Sequence, residues 1–195
     1  MIFNSDYNVL VIATKQDVAK NLVTKVRVMH ELLPGWLKGG SLEDNKLSLR
    51  LHNGSQIKAI ASSPDAGRSE ALSLLIFDEA AFIDDIDEIW VAAQSTLSTG
   101  GACIALSTPN GVGNWFHKMW VEGESGANGF NCINLHWTVH PERNQQWRDE
   151  QTRILGAKGA SQECDCLWGD SRVQIKNLET MEVEYYTLEK LYDIL

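Results

Sequence analysis

Leu74-Leu75-Ile76-Phe77-Asp78-Glu79-Ala80-Ala81-Phe82-Ile83 is the stretch on which the reading of this chain turns. Four apolar residues run straight into two adjacent carboxylates. An apolar run that short, closed by acids, predicts a β-strand buried on both faces. Such strands belong to open parallel sheets, where ligands gather off the carboxyl ends. Asp78 and Glu79 are therefore expected to emerge where chemistry occurs.

Outward from that strand, helical and strand patterns alternate. Asn8 to Ala13 predicts a first buried strand, and Thr14-Lys15-Gln16-Asp17 a capping box opening a helix. Val18, Leu22, Val26, Met29 and Leu33 recur at helical spacing and predict its core face, with Pro34-Gly35 as the stop. Leu47, Leu49 and Leu51 alternate with polar residues, as does the stretch from Ile57 to Ile60. Between them His52-Asn53-Gly54-Ser55 predicts a hairpin corner. Beyond the acids, Asp84 to Leu97 sets Ile86, Ile89, Trp90, Ala93 and Leu97 on one helical face, with acids in the first turn. Gly100-Gly101 closes it. Ala102 to Leu106 predicts another buried strand, ending in Ser107-Thr108-Pro109-Asn110-Gly111. A helix from Asn114 to Val121 follows, then a strand from Phe130 to Trp137. A last helix runs from Pro141 to about Leu155, capped by Gly156. The fold class is α/β with a largely parallel sheet.

With 195 residues, the chain is long enough for one domain and a little more. Hydrophobic residues at 44% and charged residues at 22% are ordinary for a globular protein. A formal net charge of -9 argues against a general phosphate-binding coat, though not against a local basic patch. The N-terminus has no basic segment, and the apolar stretch from Val9 to Ala13 is too short for a signal or a membrane span. The expectation is a cytoplasmic protein with no membrane partner. Cys103, Cys132, Cys164 and Cys166 form no CxxC pair and no zinc-ligand spacing, so free thiols are expected.

In a nucleotide hydrolase, a hydrophobic strand ending in two acids is the Walker B arrangement: Asp78 would hold Mg²⁺ and Glu79 would polarise the attacking water. The plain alternative is a strand end with two solvated acids. More of the chain carries the first reading. The helix end Glu31-Leu32-Leu33-Pro34 is followed by Ala61-Ser62-Ser63-Pro64-Asp65-Ala66-Gly67-Arg68 and the acidic strand with Ala80-Ala81-Phe82. Then come Ser107-Thr108-Pro109-Asn110-Gly111, Trp137-Thr138-Val139-His140-Pro141-Glu142-Arg143 and Gln162-Glu163-Cys164-Asp165. In this order they resemble the ATPase domain of the large terminase subunit of tailed phages, the motor that packages DNA.

The resemblance implies a P-loop-NTPase-like parallel sheet flanked by helices, with ATP and Mg²⁺ as cofactors. It implies that Asp78 coordinates the metal, Glu79 activates water, and Thr108 and Asn110, after Ser107, sense the γ-phosphate from the neighbouring strand end. Arg68 is a candidate for stabilising charge or touching DNA, or is simply a loop arginine in water. Double-stranded DNA, the phage portal and the small terminase are the implied partners, in a possible homo-oligomeric ring within the infected host's cytoplasm. One part is absent from the sequence. No GxxxxGK[ST] occurs, and the lysines of Gly35 to Ser41 and of Gly156 to Ser161 have the wrong order and context. In the family that loop precedes the strand that begins here near Asn8, so the chain is expected to start downstream of it and to lack ATPase activity alone. A DExx-type helicase fragment and a non-catalytic, P-loop-less binding remnant are the competing readings.

After Asp165 the family pattern breaks. Cys166-Leu167-Trp168-Gly169-Asp170-Ser171-Arg172-Val173 resembles the first block of an intein: a leading cysteine, an acid four positions on, a hydroxyl residue, then a β-rich stretch. Val173 to Ile175 and Met181 to Tyr186 read as paired strands, and Thr187 to Leu195 as a short amphipathic helix. The resemblance is to the N-terminal fragment of a split intein. It divides the chain into residues 1–165, the partial ATPase domain, and 166–195, a short β-rich fragment of Hint type. Cys166 would attack its upstream carbonyl as a thiolate, and a separate C-terminal fragment would supply the remaining groups. The simpler alternative is a hairpin and helix in which Cys166 is a small buried residue.

Overall fold

The computed structural model describes residues 1–63, 66, 71–98 and 100–166, and the backbones of two later strands. They fall into two compact units that divide between Ser107 and Thr108.

The first unit is built on six strands: β1 (Asn8–Ala13), β2 (Ser41–Asp44), β3 (Ser48–Leu51), β4 (Gln56–Ala61), β5 (Leu74–Asp78) and β6 (Ala102–Leu106). Their order across the sheet is β2-β3-β4-β1-β5-β6. The aliphatic run of β1 suits its inner position, with β4 and β5 parallel on either side and Val9 through Ala13 all buried. The expected hairpin is present, with Leu49 opposite Ile57 in the antiparallel β3–β4 pair. Gly54 sits at its corner with φ +83°, a left-handed conformation that glycine adopts without steric cost.

Parallel neighbours point the same way, so the register assigns each residue to a face. Val9, Val11, Ala13, Ile57 and Ala59 pack under α1 (Gln16–Glu31), which lies over β4, β1 and β3. On the opposite face Phe77 meets Trp90 of α2 (Ile86–Leu97) edge to face, with ring centroids 6.4 Å apart. Helices thus cover both faces, as the α/β class requires.

Several expectations are corrected. In α1 the residue at the N-cap is Lys15, and no side chain caps the helix, because Thr14 falls one position too early. Of the expected core face of α1, Val18, Leu22 and Val26 do pack against the core, partly buried, but the buried row runs Ala19, Val23, His30. Met29 falls off that row and is 66% exposed, while the His30 Nε2 pairs with the Gly39 carbonyl at 3.0 Å. Strand β5 is not buried on both faces: Leu75 and Phe77 are fully buried, but Leu74 and Ile76 only partly, since α1 sits over its neighbours. Strand β6 is not a buried strand either. It is one of the sheet's two outer strands, and Ile104 and Leu106 are about half exposed.

In the second unit α3 (Trp115–Glu124) is capped by Asn114, whose side chain accepts the His117 N–H at 2.9 Å. The strand expected from Phe130 to Trp137 does not form. That segment has no regular structure until Trp137 opens a short 3-10 helix, Trp137–Val139, and it is held to α3 by side chains: Phe130 packs on Trp115, and the Cys132 thiol donates to the Trp120 carbonyl at 3.4 Å. Helix α4 (Gln145–Ala160) begins after Pro141, at Asn144, which accepts the Trp147 N–H at 2.9 Å. Gly156, with φ 75° and ψ 165°, bends α4 instead of ending it. One π-helical turn, Ser161–Asp165, leads to Cys166, itself left-handed at φ 52°. Later, β7 (Arg172–Lys176) and β8 (Val183–Thr187) pair antiparallel in a sheet of their own. Thr187, expected to open a helix, instead closes β8, and the rest of that expected helix, 188–195, lies outside the described residues.

Candidate active site

Strand β5 delivers Asp78 as its last residue, in register with Ala13 of β1 and Leu106 of β6. Asp78 therefore stands at the carboxyl edge, between two parallel strand ends. The next residue, Glu79, leaves the strand in the left-handed region, with φ 57° and ψ 50°. For a residue with a Cβ this costs on the order of 1 kcal/mol. The turn sends the chain into a short 3-10 helix, Ala80–Phe82, in which Ala80 and Ala81 are buried.

Ser107 follows β6 directly. Its hydroxyl donates to Glu79 Oε2 at 3.3 Å and accepts the Ala81 N–H at 3.1 Å. Glu79 and Ser107, chosen from sequence, are thus brought together beside Asp78. The donor set at this edge is two carboxylates and a hydroxyl, all hard oxygens. Among the described residues no group of three or more His, Cys, Asp and Glu could hold a metal. A divalent cation here would therefore rest on one or two carboxylates and on the oxygens of its own ligand. That is how Mg²⁺ is held in phosphoryl-transfer sites, so the residues fit.

Thr108 and Asn110 open the second unit. Thr108 is half buried and Asn110 exposed, and the Asn110 carbonyl accepts Asn114 Nδ2–H at 2.7 Å. Arg68 lies outside the described residues.

A second cluster, in the second unit, escaped the sequence reading. Arg148 grips Asp165 with two parallel bonds, Nε to Oδ1 at 2.7 Å and Nη2 to Oδ2 at 2.6 Å. His136 Nε2 stands 3.7 Å from Oδ1. Trp137 packs beside Trp147 at 6.2 Å, and Arg143 lies 4.4 Å over the Trp147 ring. The hydrogen bonds from Arg148, ahead of its charge and that of His136, hold the Asp165 carboxyl below the usual carboxylate range. The adjoining Cys166 thiol is pushed up, first by burial and then by Asp165, Cys164 and Glu163. No short motif signals this pair, because its partners stand seventeen positions apart on α4 and the turn after it.

A mixed sheet in which β4, β1, β5 and β6 run parallel, with helices on both faces and acids at a strand's carboxyl edge, belongs to the α/β class in which ligands gather at strand ends. The family model for the T4likevirus-type terminase large subunit, N-terminal, matches residues 1–177, and the chain belongs to that family. The match runs past Cys166, so the break in the family pattern expected after Asp165 is not where the family model ends. A curated relative, the probable terminase large subunit gp28 of Escherichia phage Mu, is 27% identical, covering 60% of this chain and 24% of that protein. The chain thus spans about a quarter of that relative's length. Among solved structures, the large terminase ATPase domain of Thermus phage P74-26 is 24% identical with a TM-score of 0.60, over 84% of this chain and 78% of that one. The large terminase of the thermophilic bacteriophage D6E, solved in complex with ADP, has a TM-score of 0.67 at 13% identity, over 87% and 42%. Among the described residues no helix is long and apolar enough to cross a membrane.

Proposed function

We propose that residues 1–165 are the hydrolytic part of a DNA-packaging motor's ATPase site. Asp78 is the Walker B acid that holds Mg²⁺, and Glu79 accepts the proton of the attacking water. The observation that carries this is the Ser107–Glu79 contact beside Asp78 at the carboxyl edge of the sheet. The metal, when bound, offsets charge on the phosphates. The protein's own share is orientation. Ser107 fixes the Glu79 carboxylate, and Thr108 and Asn110 follow it as the segment that reports the state of the γ-phosphate. The D6E terminase was also solved with ATP-gamma-S, which supports ATP as the nucleotide. The sequence has no GxxxxGK[ST], and we assign the phosphate grip to a segment supplied by the assembled motor. Double-stranded DNA, portal and small terminase are the partners proposed for the assembled protein, in a ring in the host cytoplasm.

The test joins a phosphate-loop segment ahead of Met1 and measures Mg²⁺-dependent ATP hydrolysis. Turnover is expected only in the joined protein, and Glu79→Gln lowers kcat by roughly 10²-fold or more while leaving nucleotide binding intact. Robust turnover by the chain alone, or an unaltered kcat in Glu79→Gln, overturns the proposal.

We further infer that the chain from Cys166 is the N-terminal fragment of a split intein that rejoins the terminase by trans-splicing. The block beginning at Cys166 supports this, as does the separate β7–β8 sheet. The Cys166 Sγ attacks the Asp165 carbonyl carbon, the peptide C–N bond breaks, and the nitrogen takes a proton, leaving a thioester. The raised Cys166 thiol places the burden of forming the thiolate on groups that the C-terminal fragment brings. Mixing the chain with a fragment carrying a Thr-x-x-His block and a terminal Asn should yield a ligated product of new mass. Cys166→Ala should abolish it, and persistent ligation in that variant excludes the inference.

A further inference from the structure

The residue whose carbonyl becomes the thioester carries a side chain able to destroy that bond. Freed, the Asp165 carboxylate can reach its own carbonyl carbon. An oxygen lone pair forms the O–C bond of a five-membered anhydride, and the C–S electron pair leaves on Cys166 Sγ as thiolate. One water then opens the anhydride and leaves a chain ending at Asp165 with a free α-carboxylate.

We propose that Arg148 is a positioning residue that withholds the Asp165 carboxylate from its own carbonyl, so that the junction proceeds to ligation instead of hydrolysis. This rests on the trans-splicing reading. The guanidinium takes both carboxylate oxygens, at 2.7 and 2.6 Å, leaving the side chain one orientation. The arginine is itself anchored, with Nη1 donating to Thr152 Oγ1 at 2.5 Å and that hydroxyl donating back to the Arg148 carbonyl at 3.3 Å. His136 flanks the same oxygen at 3.7 Å. The Arg148 and Asp165 side chains are only 12% and 16% exposed, so water competes poorly for the pair. Planar, bidentate and charge-assisted, such pairing is roughly twice as strong as neutral hydrogen bonding and fixes the carboxylate's orientation.

The test mixes the full chain with a C-terminal intein fragment and uses mass spectrometry to read the ratio of product ending at Asp165 to ligated product. Arg148→Gln should raise that ratio roughly tenfold, and Arg148→Lys, a single-point donor, by less. In an Asp165→Ala background Arg148→Gln should leave the ratio unmoved, which a merely structural role for the arginine would not predict. An unchanged ratio in Arg148→Gln, or an equal rise in the Asp165→Ala background, overturns the proposal while ligation by the wild-type chain preserves the splicing reading. No ligation and no thioester cleavage by the wild-type chain removes both.

Discussion

Ser107 joins two strand ends, donating its hydroxyl to Glu79 Oε2 at 3.3 Å while accepting the Ala81 N–H at 3.1 Å. One atom thus orients the proposed base and satisfies a backbone donor of the turn that carries it. Ser107→Ala leaves the buried Ala81 without this acceptor. A lost hydrogen bond of this kind costs about 1 kcal/mol. The urea midpoint should fall accordingly with an unchanged slope, and Ser107→Thr should retain both contacts.

Glu79 holds φ 57° and ψ 50°, conformations that glycine adopts without penalty. Glu79→Ala and Glu79→Gly both delete the carboxylate, so comparing them isolates the backbone. The glycine variant should be the more stable of the two by about 1 kcal/mol in denaturant unfolding. Equal stabilities would show that the turn relaxes once the carboxylate is gone.

The central fold was legible because its signals are local. The aliphatic run of β1, the Asn53-Gly54 corner and the acids closing β5 each carry their meaning within a few residues. Burial of the outer strand was not. Ala102 to Leu106 reads as an interior strand from composition, but its place at the sheet edge follows from strand order, which no pentapeptide encodes. The segment from Phe130 to Trp137 failed for a related reason. Phe130 and Cys132 lean on α3 while Ile133 and Leu135 stand exposed, and this alternation leaves a sequence trace much like that of strand pairing. Asp78, Glu79 and Ser107 could be chosen from motifs, whereas Arg148 became visible only once α4 folded back on Asp165.

Gly101 marks where the chain enters β6. A Cβ there would collide with the Leu72 carbonyl oxygen and stand 2.7 Å from Leu97 Cδ2. Backbone cannot yield as a flexible side-chain tip does, so Gly101→Ala forces the strand outward. The expected loss is about 1–3 kcal/mol, read by thermal melting, the range seen when a packed site is overfilled.

Cys103, on β6, has a thiol pushed up to about 12 by burial. At pH 8 it should be alkylated by iodoacetamide roughly a thousandfold more slowly than a free cysteine with a pKa of about 8.5, and should match one in urea. The same shift affects stability. Above about pH 8.5 the unfolded thiol gives up its proton while the folded one keeps it, so the fold loses stability as pH climbs toward 12. Cys103→Ala should remove that part of the alkaline decline. Rapid labelling of the native thiol at pH 8 would contradict the burial argument.

Asp165 titrates in the opposite sense. The Arg148 hydrogen bonds, ahead of its charge and that of His136, hold the folded carboxyl below its ordinary value. Between the two values the unfolded chain binds the extra proton. The pair's contribution is therefore complete above the ordinary carboxylate pKa of about 3.9 and is lost as pH falls through the folded value. Arg148→Met removes the cause of the shift while keeping much of the aliphatic bulk. Its melting temperature should lie below wild type at pH 7, with the gap narrowing as pH is lowered below about 4. Because both side chains are largely shielded from solvent, added salt should weaken this dependence far less than it weakens the exposed Arg153–Glu150 pair. A gap that stays constant from pH 7 to pH 2 would mean that Arg148 stabilises α4 by packing alone, with no grip on Asp165.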